Sequence, residues 1–168
     1  IEDEKRPVIV VESSLKALRD LAAFYRSQLD IKVVGITGSV GKTSTKETIA
    51  SVLATKYQVL KTAGNFNNEI GLPLTVFRLT EADEVAVLEM GISDFGEMSR
   101  LTAIARPDIS VITNIGQCHL ENLGTRDGIL KAKTEIFEGM FTSIIYVGEE
   151  KPSDLHWDIE RNICGNLI

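Results

Sequence analysis

Gly35-Ile36-Thr37-Gly38-Ser39-Val40-Gly41-Lys42-Thr43-Ser44 follows an apolar run, Ile31 to Val34, and precedes a helix-patterned stretch, Thr43 to Ala54. Strand, glycine-rich turn, Gly-Lys-Thr and helix is the order a phosphate-binding loop requires. Glycines let backbone N–H groups turn around an anion, and the helix N-terminus adds unsatisfied N–H groups and a positive dipole end. Gly38 to Ser44 are the expected nucleotide contacts, with Lys42 reaching the β- and γ-phosphates and the Thr43 hydroxyl on Mg²⁺. The pattern departs from the usual one at a single place: Ile36 stands where a glycine four residues before Gly-Lys is expected. A chance glycine-rich turn is the alternative, and the flanking strand and helix signals argue against it. A dinucleotide-binding turn needs G-x-G-x-x-G, whereas these glycines read G-x-x-G-x-x-G.

Outward from the loop, strands and helices alternate. Ser13 or Ser14 can cap a helix to about Leu29, with Leu15, Leu18, Ala22, Tyr25 and Leu29 as its buried stripe. Val8 to Val11 reads as an edge strand or a linker. Strands are expected over 32–37, 57–61, 84–90, 108–113 and 143–147. Helices are expected over 43–54, 69–79, 96–105 and from Thr125 to about Met140, with loops over 62–68 and 114–124. This alternation predicts an α/β fold, a mostly parallel sheet with helices on both faces. Three apolar runs end in polar chemistry: at the phosphate loop, at Glu89 and at Asn114. A parallel sheet puts those ends on one edge, where such sheets collect ligands.

The chain has 168 residues, 43% hydrophobic and 25% charged, as expected of one globular domain. A net charge of −6 without a dense Lys/Arg cluster argues against nucleic acid. No apolar run approaches membrane-spanning length. Cys118 and Cys164 lack C-x-x-C spacing, which suggests a reducing compartment without a disulfide framework or zinc site. The chain begins at Ile1, so it is expected to be a piece of a longer protein.

Glu89 closes an apolar run, where a carboxylate can hold Mg²⁺ or stand solvated at a strand end. His119 lies in the following loop, as a ligand or as a surface histidine. Lys133 is more informative. Taking Ile129 as zero on a helix, Ile136 falls at about 340°, Lys133 at about 40° and Lys131 at about 200°. Lys133 therefore lies in the apolar stripe and Lys131 opposite it. An inward lysine needs a partner or a changed charge. In Thr62 to Asn68, Asn68 can cap the next helix.

Together these segments resemble the Mur ligase family, which builds the peptide of bacterial cell-wall precursors. The resemblance rests on Gly35–Thr43, Thr62-Ala-Gly-Asn-Phe-Asn-Asn-Glu-Ile-Gly-Leu-Pro-Leu74, Leu88-Glu-Met-Gly91, Thr113-Asn-Ile115, His119-Leu-Glu121 and Lys131-Ala-Lys-Thr-Glu-Ile-Phe137. Order and spacing match from about Val8 to Phe137, and the run after Phe137 departs from the family pattern. The resemblance implies the family's central ATP-binding domain over residues 31–168, with residues 1–30 a linker segment and a leading helix. It implies Lys42 on phosphates, Thr43 and Glu89 on one Mg²⁺, and His119 on a second. Lys133 matches a lysine that reacts with CO₂ to become a carbamate. Asn114 matches a nucleotide-facing position, and Asn65, Asn67 and Asn68 match substrate-facing ones. The asparagine-rich segment points to ATP-dependent joining of D-alanyl-D-alanine to UDP-N-acetylmuramoyl-tripeptide through an acyl phosphate. A cytoplasmic monomer is expected. The alternatives are a folylpolyglutamate or cyanophycin synthetase type of ligase and a phosphate-loop module without ligase activity. A guanine-reading N-K-x-D segment is absent from the sequence. The chain alone is expected to fold and not to ligate.

Overall fold

A computed structural model describes residues 8–116, 118, 120–138 and 144–146. Along the chain run α1 (Ser14–Ser27), β1 (Lys32–Thr37), α2 (Lys42–Leu53), β2 (Val59–Lys61), α3 (Gly71–Val76) and β3 (Val85–Glu89). They continue as α4 (Glu97–Ala105), β4 (Ile109–Ile112), α5 (Leu120–Leu123), α6 (Arg126–Thr134) and β5 (Ile144–Tyr146), with a 3₁₀ turn, Glu135–Phe137, directly after α6. The strands form one sheet in the order β2-β3-β1-β4-β5, with every neighbouring pair parallel. The carboxyl ends of β1, β3 and β4 therefore share an edge.

Strand alternation divides the core in two. Val33, Ala86, Leu88 and Ile112 join residues of α1, α3, α4 and α6, including Ala22, Leu72, Leu101 and Ile129. Val34, Ile36, Val87 and Val111 point the other way, onto Ala50 of α2. Each fully buried Leu, Ile or Val here is worth about 1.5–3 kcal/mol relative to exposure. The α/β reading thus holds, with helices on both faces. Ile36, the residue that breaks the loop motif, is fully buried in the α2-side core. Strand β1 runs on to Thr37, so the loop proper begins at Gly38.

The structure corrects several boundaries. Val8 to Val11 forms no strand, and Ile9 and Val10 are almost fully exposed. In α1 the expected stripe is only partly buried: Ala22 is, Leu15 is exposed, and Arg26 enters the buried face. The helix expected over 69–79 is confined to Gly71–Val76, because the Asn68 carboxamide takes the Ile70 and Gly71 N–H groups and sets the start. The 114–124 loop contains the short helix α5. The helix expected to reach Met140 ends at Thr134 and tightens into the 3₁₀ turn. Glu135 reaches from that turn to the Gly96 and Ser99 N–H groups and caps α4. His119, Met140 and Cys164 lie outside the described residues.

Two ties fix α1. Ser13 caps its N-terminus through Oγ, which accepts from the Lys16 N–H. Farther along, Arg19 and Arg100 both donate to Glu69 Oε1 at 2.5 Å, linking α1, the asparagine-rich loop and α4. These hydrogen bonds, with burial opposing, hold the Glu69 carboxyl below its usual range.

Candidate functional site

Residues 38–44 cross from the end of β1 to the start of α2. Gly38 has φ 144° and Gly41 φ 81°, conformations that favour glycine. A Cβ on Gly38 would lie 1.9 Å from Thr113 Oγ1, so a side chain there is also excluded sterically. Asn114 braces the loop: its Oδ1 accepts from the Ser39 and Val40 N–H groups at 3.1 Å each. Thr113 Oγ1 donates to Val40 O at 2.6 Å, and the Ser39 hydroxyl donates to Gly116 O and accepts from Gly116 N–H. Asn114 thus sits within the loop and shapes it.

The N-terminus of α2 differs from those of α1 and α6. Ser13 and Thr125 cap the latter two with side chains, whereas Gly41 supplies no side-chain cap to α2. The Lys42, Thr43 and Ser44 N–H groups thus open the helix with the positive end of its dipole. That is the local design of an anion site.

Glu89, the last residue of β3, is buried at 3% exposure. Its Oε2 accepts from the Thr43 hydroxyl at 3.1 Å and its Oε1 from Asn67 Nδ2 at 2.9 Å. Its N–H donates to Thr62 Oγ1. Lys46 Nζ lies 3.6 Å from Glu89 Oε2 and is itself 1% exposed. A hydroxyl and a carboxylate oxygen side by side at an uncapped helix start form a hard donor pair, which suits Mg²⁺. Among the described residues no group of three or more His, Cys, Asp or Glu could hold a metal. The pair therefore fits a cation that also takes oxygens from water or a bound phosphate.

Lys133 is buried at 2% exposure while Lys131 is exposed, as the helical phase predicts. Lys133 Nζ donates to Gly38 O at 3.2 Å, and Lys42 Nζ donates to the same carbonyl at 2.9 Å. Burial drives the Lys133 ammonium down to about 8; the neighbouring Cys118 opposes that fall and Lys42 adds to it. Cys118 Sγ also donates to Ser39 Oγ at 3.1 Å.

Of the asparagines, Asn67 joins Glu89 and Asn68 starts α3, while Asn65 is exposed on the loop. The structure thus gathers Gly38–Ser44, Asn114, Glu89, Asn67 and Lys133 at one edge. Sequence reasoning missed Lys46 and Thr113. Lys46 had a signal: Ile49, Ala50 and Leu53 follow it at helical spacing, so it shares their buried face.

A family model described as the Mur ligase middle domain matches residues 36–159. The chain is similar to the UDP-N-acetylmuramoyl-tripeptide–D-alanyl-D-alanine ligase of Bacillus subtilis, 52% identical over 149 residues, covering 88% of this chain and 33% of that protein. The MurF ligase structure from Thermotoga maritima in complex with ADP is 41% identical with a TM-score of 0.78, covering 87% of this chain and 34% of that one. A MurF structure from Acinetobacter baumannii is 37% identical with a TM-score of 0.80, covering 84% and 33%. The chain spans about a third of the length of the relatives it matches.

Proposed function

This chain belongs to the Mur ligase middle-domain family, and on that premise we propose that it is the ATP-binding portion of a ligase. The whole enzyme would join D-alanyl-D-alanine to UDP-N-acetylmuramoyl-tripeptide. The observation that carries this reading is the Thr43–Glu89 oxygen pair, 3.1 Å apart, at the uncapped start of α2. The named substrates come from the similar Bacillus subtilis protein.

In this reading the α2 N–H groups bind the β- and γ-phosphates, and Lys42 leaves Gly38 O to meet them. Thr43 and Glu89 would hold Mg²⁺, which would neutralise charge on the phosphates. Asn67 fixes the Glu89 carboxylate, and Asn114 fixes the loop. The γ-phosphoryl group of ATP would pass to the tripeptide carboxylate with ADP leaving, and the dipeptide amine would then attack the acyl phosphate, expelling phosphate and losing a proton to form the amide. His119 and Lys133 are the proposed residues for a second Mg²⁺, Lys133 as its carbamate. Burial supports that role, because the neutral amine is the form that reacts with CO₂ and a lowered ammonium releases it more readily. Residues 31–168 form the central domain and residues 1–30 lead into it. The remaining length of the full enzyme holds the other two substrates, and it works as a cytoplasmic monomer. No described helix is long and apolar enough to cross a membrane.

The test is an amide-forming assay with ATP, Mg²⁺, UDP-N-acetylmuramoyl-tripeptide and D-alanyl-D-alanine, on the full-length protein and on this chain. The full-length protein forms product with these substrates and not with a folate and glutamate. The chain alone forms essentially none, because positioning supplies about 7–11 kcal/mol of barrier reduction. Preference for folate, or comparable rates from chain and full-length protein, would contradict the reading.

A further inference from the structure

Lys46 is a fully buried lysine at a site whose function already uses two other lysines. It stands on α2 one turn beyond Thr43, on the face that carries Ala50 into the core. Its ammonium lies between two carboxylates: Glu89 Oε2 at 3.6 Å and Glu47 Oε1 at 3.3 Å. The two partners differ. Glu89 is 4% exposed in its side chain and Glu47 is 49% exposed. Glu47 also pairs through its other oxygen with Lys61. Charges therefore alternate from the surface inward: Lys61, Glu47, Lys46, Glu89.

Both Glu89 oxygens already accept hydrogen bonds, from Thr43 and Asn67. Lys46 stands beyond hydrogen-bond distance from Glu89, so its contribution there is charge. A buried carboxylate needs a compensating cation, and a buried ammonium needs an anion. A divalent ion on Thr43 and Glu89 would bring two further positive charges beside Lys46. Two cations that close repel strongly in a poorly solvated site. Lys46 already faces a second carboxylate at 3.3 Å, which offers a place for the displaced charge.

We propose that Lys46, which bridges Glu89 and Glu47, serves as the buried counter-ion of Glu89 when Mg²⁺ is absent and withdraws onto Glu47 alone when Mg²⁺ binds Glu89. Lys46 then sets how readily the site accepts metal, acting through Glu89 as a positioning residue. This rests on the reading that Thr43 and Glu89 hold the cation.

The test is Mg²⁺ titration by calorimetry of the 168-residue chain, saturated with ADP at pH 8, with melting measured both in EDTA and in saturating Mg²⁺. Lys46→Met should lower the melting temperature in EDTA, where Glu89 loses its counter-ion. It should also tighten Mg²⁺ binding by about tenfold, since repulsion is removed and the empty site is less stable. A purely structural lysine would lower stability equally with and without metal. Mg²⁺ affinity unchanged or weakened in Lys46→Met overturns the proposal. Glu47→Gln shifts affinity the opposite way and carries the test if Lys46→Met does not fold. With its second partner gone, Lys46 stays on Glu89 and Mg²⁺ binds about threefold more weakly. Affinity unchanged or tightened in Glu47→Gln overturns the proposal as well. A wild-type chain that takes up no Mg²⁺ with ADP would instead remove the metal reading beneath it.

Discussion

Helices α1 and α6 each turn a long cationic side chain into their buried face, and the two are used differently. Arg26 of α1 is 6% exposed and Lys133 of α6 is 2% exposed. The Arg26 guanidinium donates to three carbonyls, Ala105 O at 3.2 Å, Leu29 O at 2.8 Å and Ile31 O at 3.0 Å. Those carbonyls lie at the end of α4 and along the link from α1 to β1, far along the strands from the phosphate loop. Lys133 instead donates to the single carbonyl of Gly38, which it shares with Lys42. Burial lowers both groups below their ordinary values. The difference lies in hydrogen bonding. A planar guanidinium with three carbonyl partners is a clamp, and an ammonium held by one shared carbonyl at a ligand edge is available for chemistry.

The largest effect that could break this contrast is on turnover. Lys133→Met in the full-length protein should reduce kcat by about 10²–10³-fold, the scale of one lost electrostatic contact to the transferred phosphoryl group. The same substitution should leave the melting temperature of the chain unchanged or raised, because a buried ammonium is exchanged for an apolar group. A large fall in stability with turnover retained would make Lys133 another clamp.

Arg26→Met should do the reverse. It leaves three carbonyls without their donor and should cost about 3 kcal/mol in denaturant unfolding. ADP affinity below the unfolding transition should stay within about twofold of wild type, a change worth under 1 kcal/mol. Loss of nucleotide binding in the folded variant would erase the division between the two helices.

A smaller effect is on pH. Burial lowers the folded Lys133 ammonium to about 8, from an ordinary lysine value of about 10.5. Between those values the unfolded chain binds a proton that the folded chain has released, so stability due to Lys133 rises with pH across the window. Wild type should therefore gain about 2–3 kcal/mol relative to Lys133→Met from pH 8 to 10.5. A constant difference between the two proteins would mean that Lys133 titrates normally.

The same two helices separate what the sequence makes legible from what it hides. Lys133 is readable because it lies one turn beyond Ile129 on the buried face of α6, and the phosphate loop because its motif lies between strand and helix signals. The sheet edge was readable because three apolar runs end in Gly38, Glu89 and Asn114, and all neighbouring strands are parallel. Arg26 was hidden because its partners are backbone carbonyls, which leave no mark in residue types, and two of the three belong to the chain immediately after α1. Lys46 is legible only in part: Ile49, Ala50 and Leu53 mark its buried face, but its carboxylate partner Glu89 lies on another element and leaves no mark in the spacing of α2. The Asn67 contact to Glu89 spans 22 positions and depends on how the 62–68 loop folds back over β3. Spacing within either segment says nothing of that return. The late start of α3 follows from the Asn68 hydrogen bonds, which hydrophobic periodicity does not register.

Calorimetry of ADP with Mg²⁺ on the 168-residue chain reads out whether Gly38–Thr43 is a nucleotide–Mg²⁺ site. Wild type should bind, and Lys42→Ala should bind at least about tenfold more weakly through loss of a charge-assisted contact to phosphate. Equal affinity in the two proteins, or no binding to wild type, would contradict the account.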